Sequence, residues 1–260
     1  MGRPGLVSLG VVMNRDRLRA DRLLVEGGHF ESRARAQAAI AAGLVRADDR
    51  PVTRASDLLD WNARITASAP HPFVSRGGLK LVAALDAFGF DPDGQICLDV
   101  GASTGGFTDA LLARGARQVY AVDVGRDQLH ASLRADPRVT SLEGRDVRSL
   151  DRDTIADPPS LCAIDVSFIS LRLVLPAILP LLAPGAGLAA LIKPQFEAGR
   201  ERVGRGGIVR DPAIHATVCD EIRRFIEASG LRVLGLIPSP VTGGDGNREF
   251  LIGARLDSPS

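Results

Sequence analysis

The chain has 260 residues, of which 45% are hydrophobic, 24% charged and 4% aromatic, and 32 Lys plus Arg stand against 31 Asp plus Glu for a formal net charge of +1. That length gives one or two domains with enough material for a buried core, and the ordinary globular composition excludes disordered, collagen-like and disulfide-scaffold classes. By type the basic residues divide very unevenly: 30 are Arg and two, Lys80 and Lys193, are Lys.

At the N-terminus, Val7 to Met13 is too short for a secretory signal and has no small-residue cleavage site. Met13, just before NRDRLRADRLL, is an alternative start, which would make residues 1–13 a disordered or non-native leader. Asp16 to Val25 reads as a helix with Leu18, Ala20, Leu23, Leu24 and Val25 on its apolar side. After a turn at Gly27-Gly28, Ser32 can cap a second helix from Arg33 to Ala42, ended by Gly43. The stretch LVRADDRPVTRASDLLDWNARITA then alternates short apolar runs with turn residues, as in a small strand-rich tail. Residues 1–75 hold 11 Arg and 8 acids, net +3, whereas residues 76–260 are net −2. A basic helical hairpin of this kind suits phosphate-backbone contacts through Arg17, Arg22, Arg33 and Arg35. The segment from RLRADRLL through SRARAQAAIAAGLVRADDR resembles the S-four RNA-binding domain of a ribosomal small-subunit protein and of pseudouridine synthases. It departs from that family at Asp48-Asp49-Arg50, where Val-Asn-Gly is usual; Asp-Asp can still turn, but its charge weakens local attraction for phosphate.

Pro70 and Pro72 flank His71 and interrupt any element, so residues 1–66 are expected to form the first domain, 67–75 a linker and 76–260 the second. A helix from Gly78 to Phe88 carries Lys80. Strands QICLDV, QVYAVDV, VTSLEG, LCAIDV and GLAALIK then alternate with helices at Phe107–Arg114, Asp127–Arg134 and Leu173–Leu182. Helix Ala213–Ala228 leads to LRVLGLI, and REFLIGARL closes the chain. This alternation predicts an α/β fold: a doubly wound, mostly parallel sheet with right-handed crossovers, its last strand antiparallel. The longest apolar stretch, Leu173 to Leu191, is broken by Pro176, Pro180, Pro184 and Gly185, which makes it a poor membrane span. Cys97, Cys162 and Cys219 lie in apolar runs without metal-ligand spacing, so buried thiols, no metal and a reducing, cytoplasmic setting are expected.

The turn after the first strand reads Leu98-Asp99-Val100-Gly101-Ala102-Ser103-Thr104-Gly105-Gly106-Phe107. Its glycines let a ligand approach the backbone at the carboxyl edge of the sheet. The G-x-x-x-G-G spacing differs from a dinucleotide fingerprint, and Asp99, two residues before Gly101, disfavours a pyrophosphate. A cationic amino-acid ligand, S-adenosylmethionine, fits better. Asp99, Gly101, Ala102, Ser103, Gly105, Gly106 and Phe107 are therefore candidate cofactor contacts. Asp123, beside Val124, would accept from ribose hydroxyls, and Asp146, beside Val147, from an adenine amino group; each acid could instead cap its local turn.

Asp165 and Lys193 end adjacent strands and should converge beside the cofactor, with Lys80 arriving from the helix in SRGGLKL and Glu249 from GNREFLI. Two amines and two carboxylates from four distant segments make a candidate catalytic tetrad. FVSRGGLKL, LDVGASTGGFTD, DVSFISL, LIKPQFE and GGDGNREFL resemble the TlyA (haemolysin A) family, which joins an S-four domain to an FtsJ-like ribosomal RNA methyltransferase domain. The resemblance covers nearly the whole chain. It implies 2′-O-methylation of cytidine ribose in 16S and/or 23S ribosomal RNA with S-adenosylmethionine as donor, and it places the tetrad on Lys80, Asp165, Lys193 and Glu249.

A ribose hydroxyl must lose its proton as the methyl arrives, a task open to Lys193 where burial and neighbouring charge favour the neutral amine. Lys80 would supply charge or hold a phosphate, and the carboxylates would orient the amines. Arg76 and the glycine-rich loop Glu197 to Arg210, with Arg200, Arg202, Arg205 and Arg210, are candidate RNA contacts, the loop as a mobile lid. The partner expected is ribosomal RNA or a ribosomal subunit, with no membrane, and the protein is expected to act as a monomer. The alternatives are a membrane-active haemolysin and a catalytically silent RNA-binding protein.

Overall fold

The structure, a computed structural model, describes residues 17–257. The alternative start at Met13 and the leader before it lie outside the described residues. The chain divides between Pro72 and Phe73 into two compact units.

The first unit comprises β1 (Arg17–Arg19), α1 (Ala20–Glu26), α2 (Arg33–Ala41), β2 (Val45–Ala47), β3 (Arg50–Pro51), β4 (Leu58–Asp60) and β5 (Ile65–Ala67). Its first helix starts at Ala20, later than the sequence predicts. The amides of Ala20 and Asp21 donate to the carbonyls of Asp57 and Ala55, and residues 17–19 pair antiparallel with β4. Ser32 caps α2 by accepting from the Arg35 amide, and Gly43, left-handed at φ 71°, follows its end. Asp48 and Asp49 form the two-residue turn between β2 and β3, both with positive φ (48° and 62°) as a primed hairpin turn requires. The Arg64 amide donates to Asp48, and its side chain pairs with Asp49.

Leu24, Ala36, Ile40 and Val45 centre this unit's apolar core. Beside them Asp21 is fully buried and accepts from Arg19, Arg33 and Gln37 at 3.1, 2.6 and 2.8 Å. The Arg19 guanidinium, seconded by Arg33 and Gln37, holds its carboxyl well below the usual range. Of the expected phosphate contacts, Arg33 also anchors Asp21 and Arg22 also pairs with Glu26 at 2.5 Å. Both keep more than half of their side chains exposed.

The second unit contains α3 (Gly77–Phe88), β6 (Ile96–Val100), α4 (Gly106–Ala113), β7 (Gln118–Asp123), α5 (Ala131–Arg134), β8 (Val139–Glu143), β9 (Leu161–Ile164), α6 (Leu171–Ile178), β10 (Gly187–Ile192), α7 (Pro194–Glu197), α8 (Pro212–Ala228), β11 (Leu231–Pro238) and β12 (Phe250–Leu256). The sheet order is β11-β12-β10-β9-β6-β7-β8, with β12 inserted antiparallel between β10 and β11 and every other pairing parallel. Strands β6, β9 and β10 are buried throughout, which is why they read as unbroken apolar runs. On one face Leu81 and Leu85 of α3 and Phe107 and Leu111 of α4 pack with Leu191 and Leu251. On the other, Val174 and Ile178 of α6 and Val218 and Ile222 of α8 cover Leu98, Ile164 and Ile252.

Two helices differ from expectation. The segment 127–134 is helical only over α5, because the Glu143 carboxylate accepts from the amides of Gln128 and Leu129 and Asp127 adopts a left-handed φ of 55°. Helix α6 begins earlier, at Leu171, where the Ser170 hydroxyl accepts from the Arg172 amide. The three cysteines are buried and unpaired, and burial pushes the Cys97 thiol up to about 12.

Candidate active site

Strand β6 runs into the glycine turn at the carboxyl edge of the sheet, where a cavity of about 530 Å³ opens. That size suits a cofactor-scale ligand. Of the candidate cofactor contacts, Gly101, Ala102, Ser103, Gly106 and Phe107 line it. Gly101, at φ 86°, is required twice over: the conformation favours glycine, and an added Cβ would meet the Asp165 carbonyl oxygen at 2.4 Å. Gly105 is not on the cavity wall; it precedes α4 at φ 99°, where a Cβ would strike Leu133.

The three predicted acids have different fates. Asp123 accepts from the Ser103 amide at 2.8 Å and the Gly125 amide at 2.7 Å, which ties the glycine turn to the end of β7. Val124 beside it is 72% exposed. Asp146 caps a short 3-10 turn by accepting from the Arg148 amide, and its ion pair with the Arg148 guanidinium lowers its pKa, while Val147 is buried in the core. Here the local capping role is the one the geometry displays.

Asp99 does not line the cavity. It is fully buried, one oxygen accepting from Thr108 Oγ1 at 2.6 Å and the other, Oδ1, without a hydrogen-bond partner. Burial pushes its carboxyl up to about 7, opposed by the Thr108 hydrogen bond and reinforced by Asp165 and Asp123. From the ordinary aspartate value of 3.8 upward, the native state binds the extra proton, so this group's contribution to stability falls as pH rises from about 4 to about 7. Asp99→Asn is accordingly expected to flatten the decline in Tm between about pH 5 and about pH 7.5 in scanning calorimetry. Parallel Tm–pH curves for the two proteins would exclude Asp99 as its source.

The tetrad forms two ion pairs. Lys80 Nζ lies 2.5 Å from Glu249 Oε2, and Lys193 Nζ lies 2.6 Å from Asp165 Oδ1. Both lysines are buried in the main yet reach the cavity, as does Asp165, while Glu249 sits behind Lys80. Burial raises the Glu249 pKa, with Lys80 and then Lys193 pulling against it. Each charge is thus held in place by a partner from a distant segment, an arrangement that fixes the position of both amines.

Arg76 also lines the cavity and is exposed. The segment after α7, in contrast, is not an untethered lid. It contains a 3-10 turn at Arg200–Arg202 and a tight turn in which the Gly204 amide donates to the Ile208 carbonyl. Its far end is fastened by buried Asn247, which accepts from the Val209 amide at 2.9 Å and donates to the Gly207 carbonyl at 3.0 Å. Arg202 approaches Glu221, while Arg200, Arg205 and Arg210 are exposed.

Sequence reasoning missed Ser75 and Gly77, which line the cavity where α3 meets α4; an added Cβ on Gly106 would lie 2.1 Å from Ser75 Oγ. The Gly77-Gly78 pair was the available signal, since adjacent glycines at a helix start mark a close approach. Ser167 and Gly244 on the wall were also missed.

Comparison with known proteins agrees with this geometry. The FtsJ-like methyltransferase family profile matches residues 73–256. The chain belongs to that family. This methyltransferase is 42% identical over 244 residues to the 16S/23S rRNA (cytidine-2′-O)-methyltransferase TlyA of Mycobacterium tuberculosis, covering 93% of this chain and 91% of that one. It is 39% identical over 235 residues to Hemolysin A of Brachyspira hyodysenteriae, covering 90% and 98% respectively. A solved structure from Streptococcus thermophilus, which carries a hemolysin name, aligns with TM-score 0.74 and 43% identity over 94% of this chain and 90% of that one. Among the described residues no helix is long and apolar enough to cross a membrane.

S-adenosylmethionine is the cofactor of this enzyme class, and the residues present fit it. The turn at Gly101 has no room for a side chain, so a ligand can lie directly against its backbone, and the cavity is large enough for a cofactor of this size.

Proposed function

We propose that this methyltransferase methylates the 2′-hydroxyl of a cytidine ribose in 16S and/or 23S ribosomal RNA, acting as a cytoplasmic monomer on ribosomal subunits. The observation that carries the reading is the placement of the chain's only two lysines. Each lies within 2.6 Å of a carboxylate, and both face the cavity that the glycine turn lines.

When bound, S-adenosylmethionine supplies an electrophilic methyl group on a sulfonium. Once Lys193 has given up its own proton to solvent, its Nζ orients the ribose hydroxyl and takes that proton as the oxygen attacks. Asp165 holds that amine, and the Lys80–Glu249 pair adds a second fixed charge on the same wall, placed to meet the negative charge of an RNA backbone. Arginine would supply charge at either position but could not accept the proton. Phe168, next to Ser167 on the wall, is 90% exposed and lies 5.1 Å from the Phe196 ring. It offers a face on which an unpaired base can stack, which favours a nucleic acid over a small hydroxyl compound as substrate.

Exposed Arg76, Arg200, Arg205 and Arg210 give the second unit its own phosphate contacts. The first unit is read as the S-four RNA-binding domain, with Arg17 exposed and Arg35 half-buried on it and the outer parts of Arg22 and Arg33 contributing beyond their ion pairs. The test is to incubate the full chain with S-adenosylmethionine and separate small and large ribosomal subunits, then map methyl groups by primer extension and nucleoside mass spectrometry. The expected product is 2′-O-methylcytidine in one or both ribosomal RNAs. Methyl groups on a base only, or none in either RNA, would overturn the reading.

A further inference from the structure

We propose that Ser167 is a positioning residue for Lys193, fixing the rotation of its amine so that the remaining direction on nitrogen points at the ribose hydroxyl. This inference rests on Lys193 acting as the base. Lys193 Nζ donates to Ser167 Oγ at 2.8 Å on one side and lies 2.6 Å from Asp165 Oδ1 on another. Lysine, serine and aspartate all line the cavity. A neutral amine has two N–H bonds and one lone pair. The hydrogen bond to the Ser167 hydroxyl takes one N–H direction and so sets the rotation of the amine, while Asp165 lies beside it as an ion-pair partner and the cavity takes the remaining side. Without Ser167 the amine would rotate about its terminal bond with only the carboxylate to restrain it, and the lone pair would be aimed correctly for a fraction of the time.

Ser167, though exposed, does not meet the lysine by chance, because its loop is fastened at both ends. At the start, the Asp165 amide donates to the Val100 carbonyl at 2.9 Å, and the Asp165 carbonyl is seated against Gly101. At the far end, Glu197 of α7, just after Lys193, accepts from Ser170 Oγ at 2.5 Å and from the Leu171 amide at 2.8 Å. Between these anchors Phe168 adopts a left-handed φ of 65°. An L-residue takes that conformation only against steric resistance, which the surrounding contacts must overcome. The strained bend holds the preceding hydroxyl toward Lys193, and Glu197 ties the bend to the helix that follows the same lysine.

The test compares Ser167→Ala, Ser167→Thr and Lys193→Ala in full-length protein, with single-turnover rates and KM on ribosomal RNA and S-adenosylmethionine affinity by calorimetry. Ser167→Ala is expected to lower the rate on the order of 10- to 10²-fold, with KM and S-adenosylmethionine affinity unchanged. Ser167→Thr, whose hydroxyl is retained on an exposed position, is expected to restore most of that rate. A rate for Ser167→Ala within twofold of the parent, or a Thr variant as slow as the Ala variant, would overturn the role of the hydroxyl. Should Lys193→Ala itself keep the parent rate, the base assignment fails first, and that outcome is distinct from a failure confined to Ser167.

Discussion

Lys193→Ala is expected to lower turnover by roughly 10²–10⁴-fold, the span associated with a positioned general base, while S-adenosylmethionine still binds. Lys193→Arg should be nearly as slow. Guanidinium keeps the positive charge beside Asp165 but stays protonated, so it orients without accepting a proton. The pair of variants therefore separates two duties that one lysine combines. Rates from methyl incorporation into ribosomal subunits, with cofactor affinity measured alongside, decide between them. An Arg variant retaining more than about a tenth of the parent rate would make Lys193 an orienting charge only.

Glu249→Ala is expected to destabilise the second unit by about 3–5 kcal/mol, because it strands Lys80 in a buried position without its carboxylate. For a unit of this size that is on the order of 10 °C in Tm. Lys80→Met combined with Glu249→Leu should recover much of the loss, since a well-packed apolar pair removes both charges together. Activity should be lost in the single and the double variant alike. Calorimetry of the three proteins checks this. A single variant that melts with the parent would mean Lys80 finds other solvation, and the pair would not be the internal brace described above.

Much of the site was legible in the chain because its chemistry is carried by residue type. The scarcity of lysine singled out Lys80 and Lys193, and the parallel alternation of strands and helices put Asp165 and Lys193 at neighbouring strand ends, where β9 and β10 indeed pair. The glycine turn was legible for a similar reason, because few residues other than glycine tolerate its geometry.

What escaped depended on contacts between distant segments. Asp99 lies in the motif as though to touch a ligand, yet its neighbours bury it completely and Thr108 claims one oxygen. Asn247 carries no local signal that it fastens a loop 40 residues earlier. The 127–130 stretch has helical composition, but the Glu143 carboxylate captures two of its amides. In each case a tertiary hydrogen bond outcompetes the local preference, and periodicity has no view of that competition.

The contact between Gly101 and the carbonyl of Asp165 has a further consequence. The glycine turn and the strand end that carries Asp165 meet through backbone, with no flexible side chain between them to absorb a shift. A side chain at Gly101 would therefore push on both walls of the cavity at once, displacing the Asp165 strand end along with the turn itself.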